Sequence, residues 1–107
     1  MKKNKLKKLR TKFRNDVFQR DKNLCVICQA AAVDAHHITD RHEMPNGGYV
    51  KENGISLCAL DHTRAEMFHR SEKETWFQDA HPDDLYRLIG SSHDLALKKS
   101  EALSEGV

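Results

Sequence analysis

Residues 33–38 read Val33-Asp34-Ala35-His36-His37-Ile38, and residues 53–62 read Asn53-Gly54-Ile55-Ser56-Leu57-Cys58-Ala59-Leu60-Asp61-His62. In the first stretch Val33, Ala35 and Ile38 alternate around polar positions, the pattern of a short strand, and two adjacent histidines come at its end. In the second, Asn53-Gly54 is a turn signal, and Ile55 and Leu57 alternate as another strand. Downstream, Leu60, Met67 and Phe68 fit the apolar stripe of a helix that carries His62 and Glu66 one turn apart. Between the strands, residues 39–52 are polar and include Pro45-Asn46-Gly47-Gly48, the composition of an ordered surface loop. The middle of the chain is therefore predicted as strand, loop, strand, helix.

Working outward, Leu6, Leu9, Phe13 and Val17 recur at helical spacing among basic residues, which predicts an amphipathic helix over residues 6–20, ended by Asp21-Lys22-Asn23. On the other side, Ser71 and Glu74 form a capping-box pattern for a short helix in which Trp76 and Phe77 face the core. Pro82 opens a further helix with Leu85, Leu88 and Ile89, and Gly90 stops it. Beyond Ser91 the polar segment with Leu95, Leu97 and Leu103 is either a loosely docked helix or a disordered tail.

With 107 residues the chain makes one domain with a limited apolar core, so a metal staple is physically reasonable. The three cysteines cannot close into an even disulfide set, no signal-peptide pattern opens the chain, and two of them form Cys25-x-x-Cys28. These features predict a reduced, cytoplasmic protein. No apolar run approaches the roughly 18–20 residues that cross a bilayer, so membranes are not expected partners. Eight of the 18 basic residues lie in the first 14 positions without an acid among them, which leaves ten against 16 acids, a net −6, for the rest. A basic arm on an acidic body suits phosphate contact on one part and cation binding on the other.

Cys25-x-x-Cys28 and the later Cys58-x-x-Asp61 have the spacing of two metal knuckles, with Zn²⁺ as the natural occupant. The fourth ligand is either Asp61 or the adjacent His62. A redox role for Cys25 and Cys28 is disfavoured because no thioredoxin-like βαβ pattern surrounds them. Side chains of adjacent strand residues point to opposite faces, so His36 and His37 are expected to have different roles. One ligates a divalent cation, and the other, with an ordinary pKa near 6.5, deprotonates a water against a phosphodiester. His62 is the second candidate ligand, and a site with few protein ligands suits Mg²⁺ or a similar ion such as Mn²⁺ or Ni²⁺.

Ala35-His36-His37-Ile38, then Asn53, then Leu57-Cys58-x-x-Asp61-His62 resembles the HNH endonuclease motif, of the His-Me finger group, set between zinc knuckles. The resemblance spans about residues 11–69. It implies an α+β fold with a small ββα-metal core, a structural zinc and flanking N-terminal and C-terminal helices. It also implies that His36 and His62 bind the catalytic metal, that His37 is the general base, and that Asn53 pins the loop and orients the catalytic histidine. Asp61 departs from the cysteine that such zinc sites usually show. The implied organisation is a basic arm over residues 1–10, a nuclease domain over 11–90 and a polar tail over 91–107.

The expected activity is hydrolysis of nucleic acid, foremost double-stranded DNA, with targeting delegated to a partner such as restriction, recombination, phage packaging or mobile-element machinery. Arg41 is a candidate clamp for the scissile phosphate. Glu66, one turn after His62 and facing the same way, either touches the metal or its waters or forms a surface salt bridge, the commoner role, and His42, His69, His81 and His93 are expected to be structural or exposed. The rival reading is a non-catalytic zinc module that binds nucleic acid or protein.

Overall fold

A computed structural model describes residues 3–103. The fold is mixed α+β: α1 (Lys3–Arg20), β1 (Asp34–His37), β2 (Gly54–Leu57), α2 (Ala59–Arg70), α3 (Pro82–Leu88) and α4 (His93–Ala102), with single 3-10 turns between the strands. The strands pair antiparallel, with Asp34 opposite Leu57 and His37 opposite Gly54. Among the described residues no helix is long and apolar enough to cross a membrane.

α1 starts at Lys3, earlier than the periodicity predicts, and runs unbroken past residue 10. Leu9, Phe13 and Val17 are buried on it, with Leu6 packed beside them. It stops at Arg20 because Lys22 and Asn23 adopt positive φ, and the Asn23 N–H turns back to the Phe18 carbonyl at 2.9 Å. Arg20 then ties the helix to the sheet: its guanidinium donates to the carbonyls of Lys51 (2.6 Å) and Gly54 (2.7 Å) and pairs with Asp21. Asp21 in turn accepts the Ser56 N–H at 3.0 Å. The knuckle closes by a bridge between Leu24 and Ala31 and by the Cys25 N–H to the Ala30 carbonyl at 2.7 Å.

All four residues of β2 are buried, not only Ile55 and Leu57. The Ser56 hydroxyl donates to the Val17 carbonyl of α1 at 3.4 Å, while Ile55 and Leu57 join Ile38, Met44, Leu85, Tyr86 and Ala96 in the larger core. Strand β2 is thus covered on both faces. Asn53-Gly54 is no hairpin turn, since Asn53 ends a 3-10 turn and Gly54 begins β2.

Further sequence expectations fail. On α2 the predicted apolar stripe faces outward, with Leu60 58% exposed and Met67 38% exposed, and Asp61 and Ala65 form the buried face instead. Ser71 and Glu74 start no helix: Ser71 caps the end of α2, and its hydroxyl accepts the Thr75 N–H at 2.9 Å. Trp76 and Phe77 then lie on an irregular segment at 49% and 39% exposure rather than in the core, with Trp76 against Phe68 and His81. In α3, Leu85 is buried as expected but Leu88 is exposed, and Tyr86 is the second core residue. The C-terminal segment is helical, capped by Ser92 and docked through Ala96 and Ser100, with Leu95 exposed. The last four residues of the predicted tail lie outside the described residues.

Gly54 explains how closely α1 sits on β2. A Cβ there would meet Val17 Cγ2 at 2.5 Å and the Phe13 ring at 2.7 Å. Gly54→Ala should therefore cost about 1–3 kcal/mol through overpacking, read as a lower urea midpoint with an unchanged denaturant slope. A midpoint equal to that of the parent would mean that the helix is not seated on the strand this tightly.

Candidate metal centres

Cys25 and Cys28 come from the knuckle before β1, Cys58 caps the N-terminus of α2, and Asp61 lies in that helix's first turn. Their ligand atoms all fall within 4.8 Å of one another. The Cys28 and Cys58 sulfurs are 3.7 Å apart, and Asp61 Oδ2 accepts from Cys25 at 3.2 Å and Cys58 at 3.4 Å. Tetrahedral zinc with bonds of about 2.3 Å to sulfur and 2.1 Å to oxygen requires roughly 3.8 Å between sulfurs and 3.6 Å from sulfur to oxygen. These residues therefore could hold a metal such as zinc.

The electrostatics agree with that fit. The Ala30 N–H favours the Cys28 thiolate, but Asp61, Cys58, burial and Cys25 together outweigh it and push the thiol up to about 12. Burial works to raise the Asp61 carboxyl, and the three thiols and Arg64 overcome this and hold it below its ordinary value. Such crowding keeps the proton on Cys28 unless a cation is present to replace it.

A second group, His36, His62 and Glu66, is separate from the first. His36 lies on β1 and points toward α2, where His62 and Glu66 are one turn apart. Glu66 Oε1 is 3.1 Å from His36 Nδ1 and 3.3 Å from His62 Nε2. His36 is buried, yet neither of its ring nitrogens has a hydrogen-bond partner among the described residues. Nitrogen and oxygen ligands of one ion bound at about 2.1 Å lie roughly 3.0 Å apart in octahedral and 3.4 Å in tetrahedral geometry, so the observed spacings suit a cation. His62 Nδ1 meets Asp34 Oδ2 at 3.0 Å, a carboxylate contact of the kind that orients ligating imidazoles.

Burial, only partly offset by Glu66, lowers the His36 pKa. His36, burial and the other histidines act on Glu66, with the His36 contact the largest influence, and leave its carboxyl at about 2. Near neutral pH His36 is thus a neutral ring and Glu66 a carboxylate, the forms that bind metal.

His37 points to the other face of β1. Its ring stacks on Phe13 at 4.4 Å and meets the edge of Tyr49 at 5.0 Å, and its Nε2 has no hydrogen-bond partner among the described residues. Burial, followed by His36 and Arg41, brings its pKa down to about 4, so the ring is neutral and able to accept a proton. Because β1 ends at His37, both histidines line one open cleft of about 1120 Å³, together with α1, Arg41, His62, Glu66 and His69.

Asn53 is fully buried and stitches the loop to the end of β1. Its Oδ1 accepts the Thr39 N–H at 3.0 Å and the Tyr86 hydroxyl at 2.7 Å, and its Nδ2 donates to the carbonyls of Thr39 (3.1 Å) and Gly48 (3.3 Å). Tyr86 also shares a 2.6 Å hydrogen bond with the Thr39 hydroxyl, and burial leads the influences that push its pKa up to about 12, so it stays a donor.

Asp61 joins the cysteines and His62 the other group, so the structure separates the two candidates for the fourth knuckle ligand. Glu66 is no surface salt-bridge residue but a member of the histidine group. His69, read from sequence as structural or exposed, lines the cleft, its ring 5.5 Å from His36 and its Nε2 3.3 Å from the His37 carbonyl oxygen. Its spacing of seven from His62, two turns along one helix face, was the available signal. Asp34 and Tyr86 were also missed. Asp34 looked like an ordinary polar strand position, and Tyr86 lies far from the motif in sequence. His42 and His93 are exposed, and His81 caps α3.

Comparison with known protein families, with curated proteins and with solved structures finds no match. Function has to be argued from this geometry.

Cys25→Ser should lower zinc content below one ion per chain and reduce the melting temperature by about 10 °C or more, because structural zinc contributes folding free energy. His62→Ala should leave zinc content unchanged. Loss of zinc from His62→Ala would put that imidazole in the cysteine site.

Proposed function

We propose that the domain is a metal-dependent nuclease of the HNH type, with β1, β2 and α2 as its ββα-metal core. The observation that carries this reading is the division of two adjacent histidines: His36 belongs to a ligand group with His62 and Glu66, while His37, outside that group, lines the same cleft. Asn53 supports it, since its hydrogen bonds fix the chain two residues after His37.

In this reading His36, His62 and Glu66 hold a divalent cation such as Mg²⁺, Mn²⁺ or Ni²⁺. Bound there, the cation supplies positive charge to stabilise the departing oxygen. His37 takes the proton of the attacking water, and Phe13 and Tyr49 pack against its ring and keep it from turning. Asp34 sets the tautomer and direction of His62. Arg41, exposed on the cleft rim, contacts the phosphate. The cysteine group with zinc is structural and anchors the start of α2. DNA is the proposed substrate, and a partner machinery supplies its targeting. A non-catalytic zinc module accounts for the cysteine group but leaves the histidine group and its empty hydrogen-bonding positions without a purpose.

Nicking of supercoiled plasmid should be abolished by EDTA and restored by Mg²⁺, Mn²⁺ or Ni²⁺. His37→Ala should reduce the rate by about 10² to 10⁴ while the fold is retained, the range for loss of a positioned base. Cleavage by His37→Ala at the parental rate would remove His37 from the mechanism, and binding without any cutting would favour the module.

A further inference from the structure

The basic residues of α1 are not equivalent. Lys3, Lys7, Arg10 and Arg14 recur at intervals of four, three and four residues, so they form one stripe along the helix, and all four line the cleft that contains His37 and Arg41. Lys3, Lys7 and Arg10 have no acidic partner among the described residues. Arg14 reaches only the Val33 carbonyl, at 3.5 Å, and the Phe18 ring, at 4.5 Å, so its charge is also uncompensated. Lys12 lies off the cleft and is neutralised by Asp16 at 2.6 Å. Lys8 is also absent from the cleft wall. The stripe adjoins the packed positions Leu6, Leu9, Phe13 and Val17, so the same packing that seats α1 on the sheet turns these four cations toward the histidines.

We infer that this stripe is a track for the phosphodiester backbone of the nucleic acid, with Arg14 nearest the sheet and Lys3 farthest along the strand. The inference rests on the nuclease reading for the direction of the track, but the binding it describes does not require cleavage. The eleven residue steps from Lys3 to Arg14 span roughly 16 Å at about 1.5 Å each, while each strand of a duplex presents one phosphate for about every 3.4 Å of axis, so four cations can engage phosphates leading away from the scissile bond. An acidic body that repels nucleic acid elsewhere leaves this wall as the favourable approach. The contacts are to backbone and not to bases, which gives affinity and alignment without sequence choice.

The test is binding of a fluorescein-labelled 20-base-pair duplex by the zinc-loaded protein with no other divalent metal added, by anisotropy over a series of salt concentrations, with the duplex shown intact on a gel afterwards. Lys3→Ala, Lys7→Ala, Arg10→Ala and Arg14→Ala should each flatten the slope of log K against log salt by about 0.9, and removing two should flatten it by about 1.8. Lys8→Ala and Lys12→Ala, with the same loss of charge on the same helix, should leave it within error, and alanine at these positions keeps the helix intact. Equal flattening by the Lys8 and Lys12 variants would overturn the track in favour of diffuse attraction. So would polyglutamate that binds as tightly with the same residue dependence, since the stripe would then serve an acidic protein. If the stripe variants flatten the slope but the parent never cuts plasmid with any added metal, the track stands and the nuclease reading falls.

Discussion

The side-chain amide of Asn53 is the constraint on which the candidate site depends. It ties together the two ends of the 16 residues between β1 and β2, whose own regular structure is limited to short 3-10 turns. Each neutral hydrogen bond adds about 0.5–1.5 kcal/mol net, whereas a buried polar group left unpaired costs about 1–3 kcal/mol, so the four contacts of this amide hold mainly by the penalty for breaking them. They bring together the backbone just after His37, the Gly48 turn and the Tyr86 hydroxyl of α3. The end of a two-stranded sheet, a feature with little stability of its own, thereby acquires a fixed shape.

The other organising element is the start of α2. Successive helical residues differ by about 100° in direction, so Asp61 and His62 serve different groups although they are neighbours in sequence. Asp61 closes the sulfur-rich group on the knuckle side, and His62 faces β1 with Glu66 one turn further on. Soft thiolates and harder imidazole and carboxylate donors are thus sorted to two faces of one helix, each with its own metal preference. A metal in the cysteine group would fix the first turn of α2 to the knuckle, and through it the direction of His62.

What could be read from the sequence, and what could not, follows from the range of the forces involved. Helix α1, the two strands and α2 are local patterns, and Cys25, Cys28, Cys58, His36, His37, Asn53 and His62 stand out by residue type and spacing. Ser56 was invisible as a buried residue because alternation assumes one solvated face, and α1 covers that face. The outer stripe of α2 misled for a related reason: the sides of the helix turned toward the knuckle and β1 carry Asp61, His62, Glu66 and His69, polar residues that periodicity assigns to solvent, with Ala65 buried among them. Trp76 and Phe77 were assigned to a core because large aromatics usually belong there, but Glu72 and Lys73 with positive φ end α2 and turn the chain out over the surface. Asp34 and Tyr86 act through contacts 28 and 33 residues distant in sequence, which no local pattern encodes.

His36 is where the local rules are most openly broken. A buried imidazole with a carboxylate as the neighbour of one nitrogen and no partner for the other among the described residues loses solvation, and an apolar side chain of similar volume would fill the same space at lower cost. Glu66 adds to the anomaly, because a half-buried carboxylate lies 3.1 Å from that ring without hydrogen-bond alignment to it. A domain of this size has little stability to give away, so such a placement points to a demand other than packing. His36, Glu66 and the neighbouring His62 together form a group that could hold a positively charged species. The cation would offset both the unpaired ring and the crowded carboxylate, and so supply the interaction that the side chains do not make with one another.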